Sequence, residues 1–294
     1  MCGLSFYCST LDVPKHELQQ SLNKMLHRGP DGNGIYHTRI NNYFLGLGHN
    51  RLKIIDLSDA GKQPMDVGIG ITISFNGEIY NYKELRSLLE KKGIKFKSTT
   101  DTEVIIYLYA EYGVAAFSML RGMYAFALID ARENKFILVR DTIGIKPLYI
   151  YKDEQGIYGS SEIRGLRAYT SVKADIDSDN IYEFFNTGFL YEPDTGFTYI
   201  KKLMPGYYLE INLSTGHTET ACFQSIQDSY SKIELSKKIE SAISQQELAD
   251  VPVGAFFSGG VDSSIIAYYI KNNLCTRQIF IPPFHVMHNQ VEAA

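Results

Sequence analysis

The segment Ile69-Gly70-Ile71-Thr72-Ile73-Ser74-Phe75-Asn76-Gly77-Glu78-Ile79-Tyr80-Asn81 joins an apolar strand pattern to an Asn-Gly pair. Its first seven residues are rich in β-branched side chains and predict a strand. The pair itself has two interpretations. Asn-Gly is a strong signal for a tight hairpin turn. Alternatively, an Asn side-chain amide beside a Gly backbone N–H provides two donors for a developing oxyanion, each worth about 3 kcal/mol in acyl transfer.

Further strand patterns surround this segment, in residues 42–48, 123–130, 135–139 and 148–152. Two helices are predicted among them, over residues 15–25 and 102–112, and a later helix over residues 179–186. Many antiparallel strands with a few long helices predict an α+β fold, in which two sheets pack together under a cover of helices.

The pattern changes after Gly206. Residues 207–213 and 218–224 predict a final hairpin, and residues 236–248 an amphipathic helix. An apolar strand over residues 253–257, a glycine turn and a helix over residues 263–272 are typical of the start of a parallel α/β domain. We therefore expect a first domain over residues 1–212, a linker over 213–230 and a second domain over 231–294.

Composition excludes several classes of protein. The 294 residues carry a net charge of −4 with both signs interspersed, so no basic block suggests nucleic acid as a partner. No apolar run approaches the roughly 18 residues that span a membrane, and the N-terminus does not resemble a signal peptide. The four cysteines have neither metal-site spacing nor the pattern of a disulfide framework. We expect a cytoplasmic protein without a bound metal in its first domain.

Cys2 is the first candidate for chemistry. Removal of Met1 would leave Cys2 with a free α-amino group, whose ordinary pKa near 8 lets it act as a base beside its own thiol. The alternative is that a cysteine stands at position 2 by chance. Cys8 is a weaker candidate for a nucleophile because it lies within a predicted strand.

Two charged residues could hold the backbone of an amino-acid substrate. Arg51 could bind a carboxylate through its bidentate guanidinium, and Asp101 could bind an ammonium. Each has another interpretation: Arg51 as a surface ion pair, and Asp101 or Thr100 as the N-cap of the following helix.

A glycine-rich turn joins the apolar strand of the second domain to its helix: Phe257-Ser258-Gly259-Gly260-Val261-Asp262-Ser263-Ser264. Its backbone N–H groups and the helix N-terminus could cradle an anion. The spacing is neither the Walker A nor the dinucleotide pattern. A plain glycine turn capped by Asp262 or Ser263 is the alternative.

Together these motifs resemble one family, the glutamine-dependent asparagine synthetases of the bacterial type. The resemblance extends to about residue 280 and rests on Met1-Cys2-Gly3, His27-Arg28-Gly29-Pro30-Asp31, Arg51-Leu52, Asn76-Gly77-Glu78-Ile79-Tyr80-Asn81, Thr100-Asp101-Thr102-Glu103, Arg140-Asp141, Gly144-Ile145-Lys146-Pro147-Leu148-Tyr149 and Ser160-Ser161-Glu162. It implies a four-layer α/β/β/α sandwich of the N-terminal-nucleophile type, followed by an ATP-pyrophosphatase domain.

The resemblance also implies a role for each motif. Cys2 would be the nucleophile, and Asn76 and Gly77 would form the oxyanion hole. Arg51 would bind the glutamine α-carboxylate, and Asp101 and Glu78 its α-amino group. Further backbone contacts to glutamine would come from the residues that follow Arg51, namely Leu52, Lys53, Ile54 and Ile55.

In the second domain, the resemblance implies an ATP site with Mg²⁺ at Ser258, Gly259, Gly260, Val261, Asp262 and Ser263, with Phe256 meeting the adenine through its backbone. Ammonia from glutamine would pass through an internal channel to an adenylate of aspartate and yield asparagine.

The family's synthetase domain normally continues well beyond this loop, and residues 280–294 do not resemble its next strand. One strand and two helices would bury their apolar side chains poorly, so we expect the part after residue 225 to be loosely folded or to dock on another chain, with a homodimer as one option. The expectation is a glutaminase joined to an incomplete synthetase. The alternatives are a non-catalytic glutamine-binding or interaction module, and a broken gene fragment.

Overall fold

The structure is a computed structural model that describes residues 1–226, 234–273 and 278–280. The strands are β1 (Gly3–Ser9), β2 (Asn33–Ile40), β3 (Tyr43–Asn50), β4 (Met65–Asp66), β5 (Ile71–Ile79), β6 (Gly122–Asp130), β7 (Lys135–Arg140), β8 (Tyr149–Lys152), β9 (Gly156–Ser160), β10 (Ile200–Lys202), β11 (Tyr207–Asn212), β12 (Thr218–Cys222), β13 (Gly254–Phe256) and β14 (Gln278–Phe280). The α-helices are α1 (Lys15–Asn23), α2 (Tyr82–Lys91), α3 (Asp101–Tyr112), α4 (Ile163–Leu166), α5 (Ser178–Thr187), α6 (Leu235–Gln245) and α7 (Val261–Asn273). Short 3-10 helices cover Leu26–Arg28, Asp59–Gly61 and Gly113–Met119.

These elements fall into two units, residues 1–227 and 228–294. The first unit contains two six-stranded antiparallel sheets. The strand order is β10-β8-β9-β1-β3-β2 in one and β12-β11-β7-β6-β5-β4 in the other. β1 therefore lies inside its sheet, between β9 and β3, with Gly3 opposite Asn50. This pairing fixes the N-terminal end of the chain beside the end of β3.

Alternation along β1 explains why the two sheets pack together. Leu4, Phe6 and Cys8 are fully buried in the apolar core between the sheets, with Phe136 and Leu138 of the opposite sheet. The intervening side chains face the other way, where Tyr7 packs in a second core. Successive strand residues point to opposite faces, so a strand that is buried along its whole length requires a layer on each side.

Helices provide the outer layers. Leu18 and Leu22 of α1 are fully buried, and Leu18 packs in the core that contains Tyr7. On the other side, α3 packs against β5 and against α2, whose Leu89 is fully buried. The predicted four-layer sandwich is confirmed. The expectation of only two helices before residue 150 is wrong, because α2 also presents an apolar face to the sandwich.

The Asn-Gly pair does not form a turn. β5 runs unbroken through both residues, with Asn76 opposite Ala125 and Gly77 opposite Tyr124 in β6. A Cβ at position 77 would collide with the carbonyl oxygen of Met123. The hairpin interpretation is therefore wrong: glycine is needed here for close approach of two strands.

The last strand of the first unit lies in the stretch predicted as a linker. β12 pairs with β11 as the edge of the second sheet, so this unit continues past residue 212. The remaining elements form the second unit, in which β13 pairs in parallel with β14. The expectation of a single strand there is wrong, because residues 278–280 add a second one. The tail over residues 281–294 lies outside the described residues.

Within the described ranges, no helix combines the length and apolar character needed to cross a bilayer.

Candidate active site

A pocket of about 140 Å³ opens in the first unit where β1, β5 and the start of α3 meet the loop after β3. Nine of the residues predicted from the sequence line it: Cys2, Arg51, Leu52, Ile54, Ile55, Asn76, Gly77, Glu78 and Asp101. Lys53 does not line it, because its side chain belongs to a small neighbouring cavity and its N–H donates to Asp31. The sequence analysis assigned no part in substrate binding or catalysis to the remaining lining residues, which are Met1, Gly61, Gln63, Phe75, Thr100, Thr102, Met123 and Lys146.

The thiol of Cys2 is held at the pocket wall. The Leu52 N–H donates to its sulfur over 3.4 Å, and Arg28 Nε donates to the Cys2 carbonyl over 2.9 Å. Arg28 is in turn fixed by Glu162 at 3.0 Å. Burial raises the pKa of the Cys2 thiol, and the Leu52 N–H opposes that change. A thiol in this position needs a nearby base to become a nucleophile.

Cys8 is excluded as an alternative nucleophile by its position. It lies in β1, fully buried in the core between the sheets, and burial raises the pKa of its thiol strongly. Structural cysteines of this kind are inert.

The edge of β5 that lies beyond its short pairing with β4 supplies the backbone donors of the pocket. The Phe75 N–H donates to Gln63 Oε1 over 2.7 Å, and the Ile79 N–H donates to Asp101 Oδ2 over 2.9 Å. Every second N–H of a strand points to the same edge. The N–H of Gly77, midway between these two, therefore points in the same direction, away from β6 and into the pocket.

Asn76 has a buried amide that is not satisfied. The residue is 1% exposed, and neither its Nδ2 nor its Oδ1 has a hydrogen-bond partner among the described residues. A buried amide without a partner costs about 1–3 kcal/mol, and such groups are rare in folded proteins. The side chain lines the same pocket as the thiol, so the unsatisfied donor is available to a bound group.

Arg51 is not a surface residue. It is 6% exposed, and its guanidinium donates to the carbonyl oxygens of Ser58, at 2.8 Å, and Asp56. Gly61 lies so close that a Cβ there would collide with the guanidinium. The interpretation as a surface ion pair is therefore wrong: Arg51 holds the loop over residues 51–61 closed on itself and presents a cation to the pocket.

Asp101 does not cap its helix, because Thr100 does so by accepting the Glu103 N–H at 3.1 Å. Asp101 instead turns its carboxylate towards the edge of β5. Burial and, to a smaller extent, the neighbouring Glu78 raise the pKa of Asp101 to about 7, against the effect of the Ile79 N–H. Burial also raises the pKa of Glu78. The buried carboxylate of Asp101 and the half-buried one of Glu78 form a site for a cation at one end of the pocket.

Lys146 is a charged lining residue to which the sequence patterns assign no chemical role. It is 4% exposed and follows β7 in a loop near the thiol. Its only signal in the sequence was its place in the Gly144-Ile145-Lys146-Pro147 motif, since a single lysine in a loop is usually solvated.

The glycine-rich turn of the second unit leads directly into α7, which begins at Val261. Gly259 has φ of +80°, and a Cβ there would meet no atom within 4 Å. Ser263 Oγ accepts the Ser258 N–H at 3.3 Å and donates to the Gly260 carbonyl at 3.0 Å. Asp262 and Ser263 thus lie inside the helix, so neither is its N-cap. The turn stays open, with Phe256 79% exposed before it.

Known proteins resemble this chain along most of its length. The Putative asparagine synthetase [glutamine-hydrolyzing] 2 of Methanocaldococcus jannaschii is 35% identical over 294 residues, which covers 90% of this chain and 56% of that protein. Asparagine synthetase [glutamine-hydrolyzing] 1 of Bacillus subtilis is 36% identical over 264 residues, covering 87% of this chain and 41% of that protein. The chain thus spans about half the length of the curated relatives that it matches.

Solved structures share the fold at lower identity. The glutamine phosphoribosylpyrophosphate amidotransferase from B. subtilis aligns with a TM-score of 0.56 and 17% identity, over 95% of this chain and 65% of that one.

Models of two protein families match the two units. The asparagine synthase model matches residues 234–283, in the second unit. The glutamine amidotransferase domain model matches residues 1–223, which include the whole pocket. The chain therefore belongs to the glutamine amidotransferase family.

Proposed function

We propose that the first unit hydrolyses glutamine to glutamate and ammonia, with Cys2 as the nucleophile. The unsatisfied amide of Asn76 carries this proposal, because it lies in the same small pocket as a thiol and an outward-pointing backbone N–H. Side-chain amides and backbone N–H groups are the usual donors to an oxyanion.

The reaction requires that Met1 is removed, which gives Cys2 a free α-amino group. This amine takes the thiol proton as the sulfur attacks the amide carbon of glutamine. The carbonyl oxygen becomes an oxyanion between Asn76 Nδ2 and the Gly77 N–H. The amine then gives its proton to the departing nitrogen, so that ammonia leaves and a thioester to Cys2 remains. Water hydrolyses the thioester, which releases glutamate and restores the thiol.

The charged residues at the pocket walls support glutamine as the substrate. Arg51 offers a cation for the α-carboxylate, and Asp101 with Glu78 offers negative charge for the α-ammonium. Leu52, Ile54 and Ile55 line one side of the pocket. A free amino acid has both charges on one carbon, so this division of charge favours glutamine over the amide of a protein side chain.

The test is glutamine hydrolysis by the purified chain after mass spectrometry confirms the loss of Met1. We expect ammonia and glutamate in equal amounts, and no detectable hydrolysis by Cys2→Ala. Cys222→Ala serves as the matched control, because this thiol is exposed on β12, outside the pocket. A non-catalytic binding module would bind glutamine without hydrolysis, so binding by the wild type without any product would refute the proposal.

We further propose that the second unit belongs to a synthetase that uses the ammonia to amidate aspartate, with ATP. Its match to asparagine synthase and the open turn before α7 support this. The turn fits a phosphate, since a Cβ at Gly259 would meet no atom within 4 Å and α7 directs its N-terminus there. Ser258, Gly259, Gly260, Val261, Asp262 and Ser263 would hold the phosphates of ATP with Mg²⁺, and ATP supplies the activation of the carboxylate.

One reaction with ¹⁵N-amide glutamine, aspartate, ATP and Mg²⁺ separates the two halves. For this chain we expect labelled ammonia and unlabelled glutamate without labelled asparagine, since it spans about half the length of the curated relatives that it matches. Labelled asparagine would contradict the expectation that the synthetase half is incomplete.

A further inference from the structure

Lys146 places a buried cation in the pocket of Cys2. It is 4% exposed, and within the described ranges no hydrogen bond or ion pair is found for its ammonium group. Unpaired lysines are almost never fully buried, and burial lowers the pKa of the Lys146 ammonium, while Glu78 opposes that change. A cation kept in such a place calls for an explanation beyond packing.

Hydrogen bonds with two neighbouring charged side chains fix the backbone at Lys146. The carboxylate of Asp141 accepts the backbone N–H groups of Ile145 and Lys146, both at 2.9 Å. Arg140 Nε donates to the Lys146 carbonyl at 2.9 Å, and Arg140 is itself paired with Glu192.

The two charged side chains that hold this loop, Arg140 and Asp141, are buried, whereas the apolar side chains of the loop are exposed. Arg140 and Asp141 are 2% and 0% exposed, whereas Ile143 and Ile145 are 59% and 48% exposed. Two buried charges therefore support a loop whose apolar side chains face solvent, and its inward-facing side chain is that of Lys146. Packing alone would place the isoleucines inside instead.

Several charges act on the N-terminal end of the chain. Lys146 and Asp101 act on the Cys2 thiol, and Lys146, Arg28 and Glu78 act on the amino group of Met1 beside it. A nearby cation favours the thiolate over the thiol and the neutral amine over the ammonium. Both effects favour the loss of a proton. The thiol and the α-amine of Cys2 titrate as a pair, so a nearby cation lowers the apparent pKa of that pair through both groups.

We propose that Lys146 is a positioning residue of the glutaminase, whose buried charge lets the thiol–amine pair of Cys2 release its proton at a lower pH. The inference rests on the glutaminase proposed above. Lys146 makes no bond to the substrate in this scheme. It acts through the electrostatic potential at Cys2, and the loop from Arg140 to Lys146 keeps it there.

The test compares Lys146→Met with Lys146→Arg. The first keeps an unbranched side chain without charge, and the second keeps the charge. We expect Lys146→Met to move the midpoint of Cys2 alkylation by iodoacetamide upward by about one pH unit, read from the N-terminal peptide by mass spectrometry. The acid limb of kcat/KM for glutamine should move by a similar amount. Lys146→Arg should leave both midpoints within about 0.3 pH units of the wild type.

Glu78→Gln provides a control of opposite sign. It removes a negative neighbour, so the alkylation midpoint should fall. If Lys146→Met does not fold, Lys146→Gln carries the same expectation, with folding checked by circular dichroism. An alkylation midpoint unchanged in the neutral variant would overturn the inference. Because alkylation needs no turnover, a shifted midpoint in a chain that does not hydrolyse glutamine would refute the proposed function and leave only the electrostatic effect of Lys146 on Cys2 standing.

Discussion

Replacing Asp101 by asparagine should stabilise the protein at neutral pH while it weakens glutamine hydrolysis. An aspartate has an ordinary pKa of about 3.9, and burial raises that of Asp101 to about 7. Each pKa unit corresponds to 1.36 kcal/mol, so ionised Asp101 costs the folded state up to about 4 kcal/mol. Asparagine removes this cost, and its Oδ1 can still accept the Ile79 N–H. Its amide hydrogens need new partners, at about 1–2 kcal/mol, so we expect a net gain of about 2 kcal/mol.

The gain should depend on pH in one direction. Below pH 4, Asp101 is protonated in the folded and unfolded states, and its ionisation contributes no difference between the variant and the wild type. Between pH 4 and 7, the unfolded state binds fewer protons at this residue than the folded state, so wild-type stability falls as pH rises. Above pH 7, the difference reaches its plateau. The advantage of Asp101→Asn therefore appears between pH 4 and 7 and persists at higher pH.

Urea unfolding at pH 4, 5.5 and 8, followed by circular dichroism, measures this difference. Asp66→Asn is the matched control, because Asp66 is an exposed carboxylate that also accepts one backbone N–H, from Gly68 at 2.7 Å. The same preparations should show a KM for glutamine raised at least tenfold in Asp101→Asn, since the variant lacks the negative charge for the substrate ammonium. A variant less stable than the wild type at pH 8, or a gain of equal size at every pH, would show that ionised Asp101 does not destabilise the folded state.

Two further substitutions in the pocket and a change of pH should each alter kcat or KM for glutamine in a distinct way. Asn76→Ala should lower kcat for glutamine by about 10²–10³-fold and change KM by less than about threefold, because the oxyanion exists only after attack; steady-state kinetics decide this. Gly61→Ala should raise KM at least tenfold by displacing the guanidinium of Arg51, whereas Gly32→Ala, whose Cβ would meet nothing within 4 Å, should match the wild type. In the wild type, KM should rise as pH falls below about 7, because protonated Asp101 no longer attracts an ammonium; a KM constant from pH 8 to 6 would contradict this.

The sandwich could be predicted from the sequence because its strands carry their own pattern. The strands around residues 123–130 and 135–139 lie within one residue of their predicted bounds. The Asn-Gly pair shows the limit of local reasoning. By itself it favours a turn, and the pairing of Gly77 with Tyr124, 47 residues later, decides otherwise. A local preference for a turn does not outweigh the pairing and burial of a strand inside a sheet.

The roles of charged residues in the pocket were harder to predict. Arg51 and Asp101 were candidates for substrate contacts, but nothing local indicates that Arg51 also closes its own loop through Asp56 and Ser58. Gln63 is another example. Its side chain satisfies the Phe75 N–H at the edge of β5, a contact that depends on how the loop after β3 returns to the sheet. Such contacts are set by the tertiary structure and leave no periodicity in the sequence.

Beyond its pairing with β4, the edge of β5 makes the pocket sensitive to chain length as well as to side-chain identity. Gln63 and Asp101 occupy the first and third N–H groups of that edge, and Gly77 keeps the second one open. Deletion of one residue between Phe75 and Ile79 would point each following backbone N–H to the other edge of the strand. It would also turn each following side chain to the opposite face of the sheet. Substitutions in the surrounding loops can therefore alter substrate preference in small steps, whereas a change of one residue in this strand would abolish the whole arrangement at once.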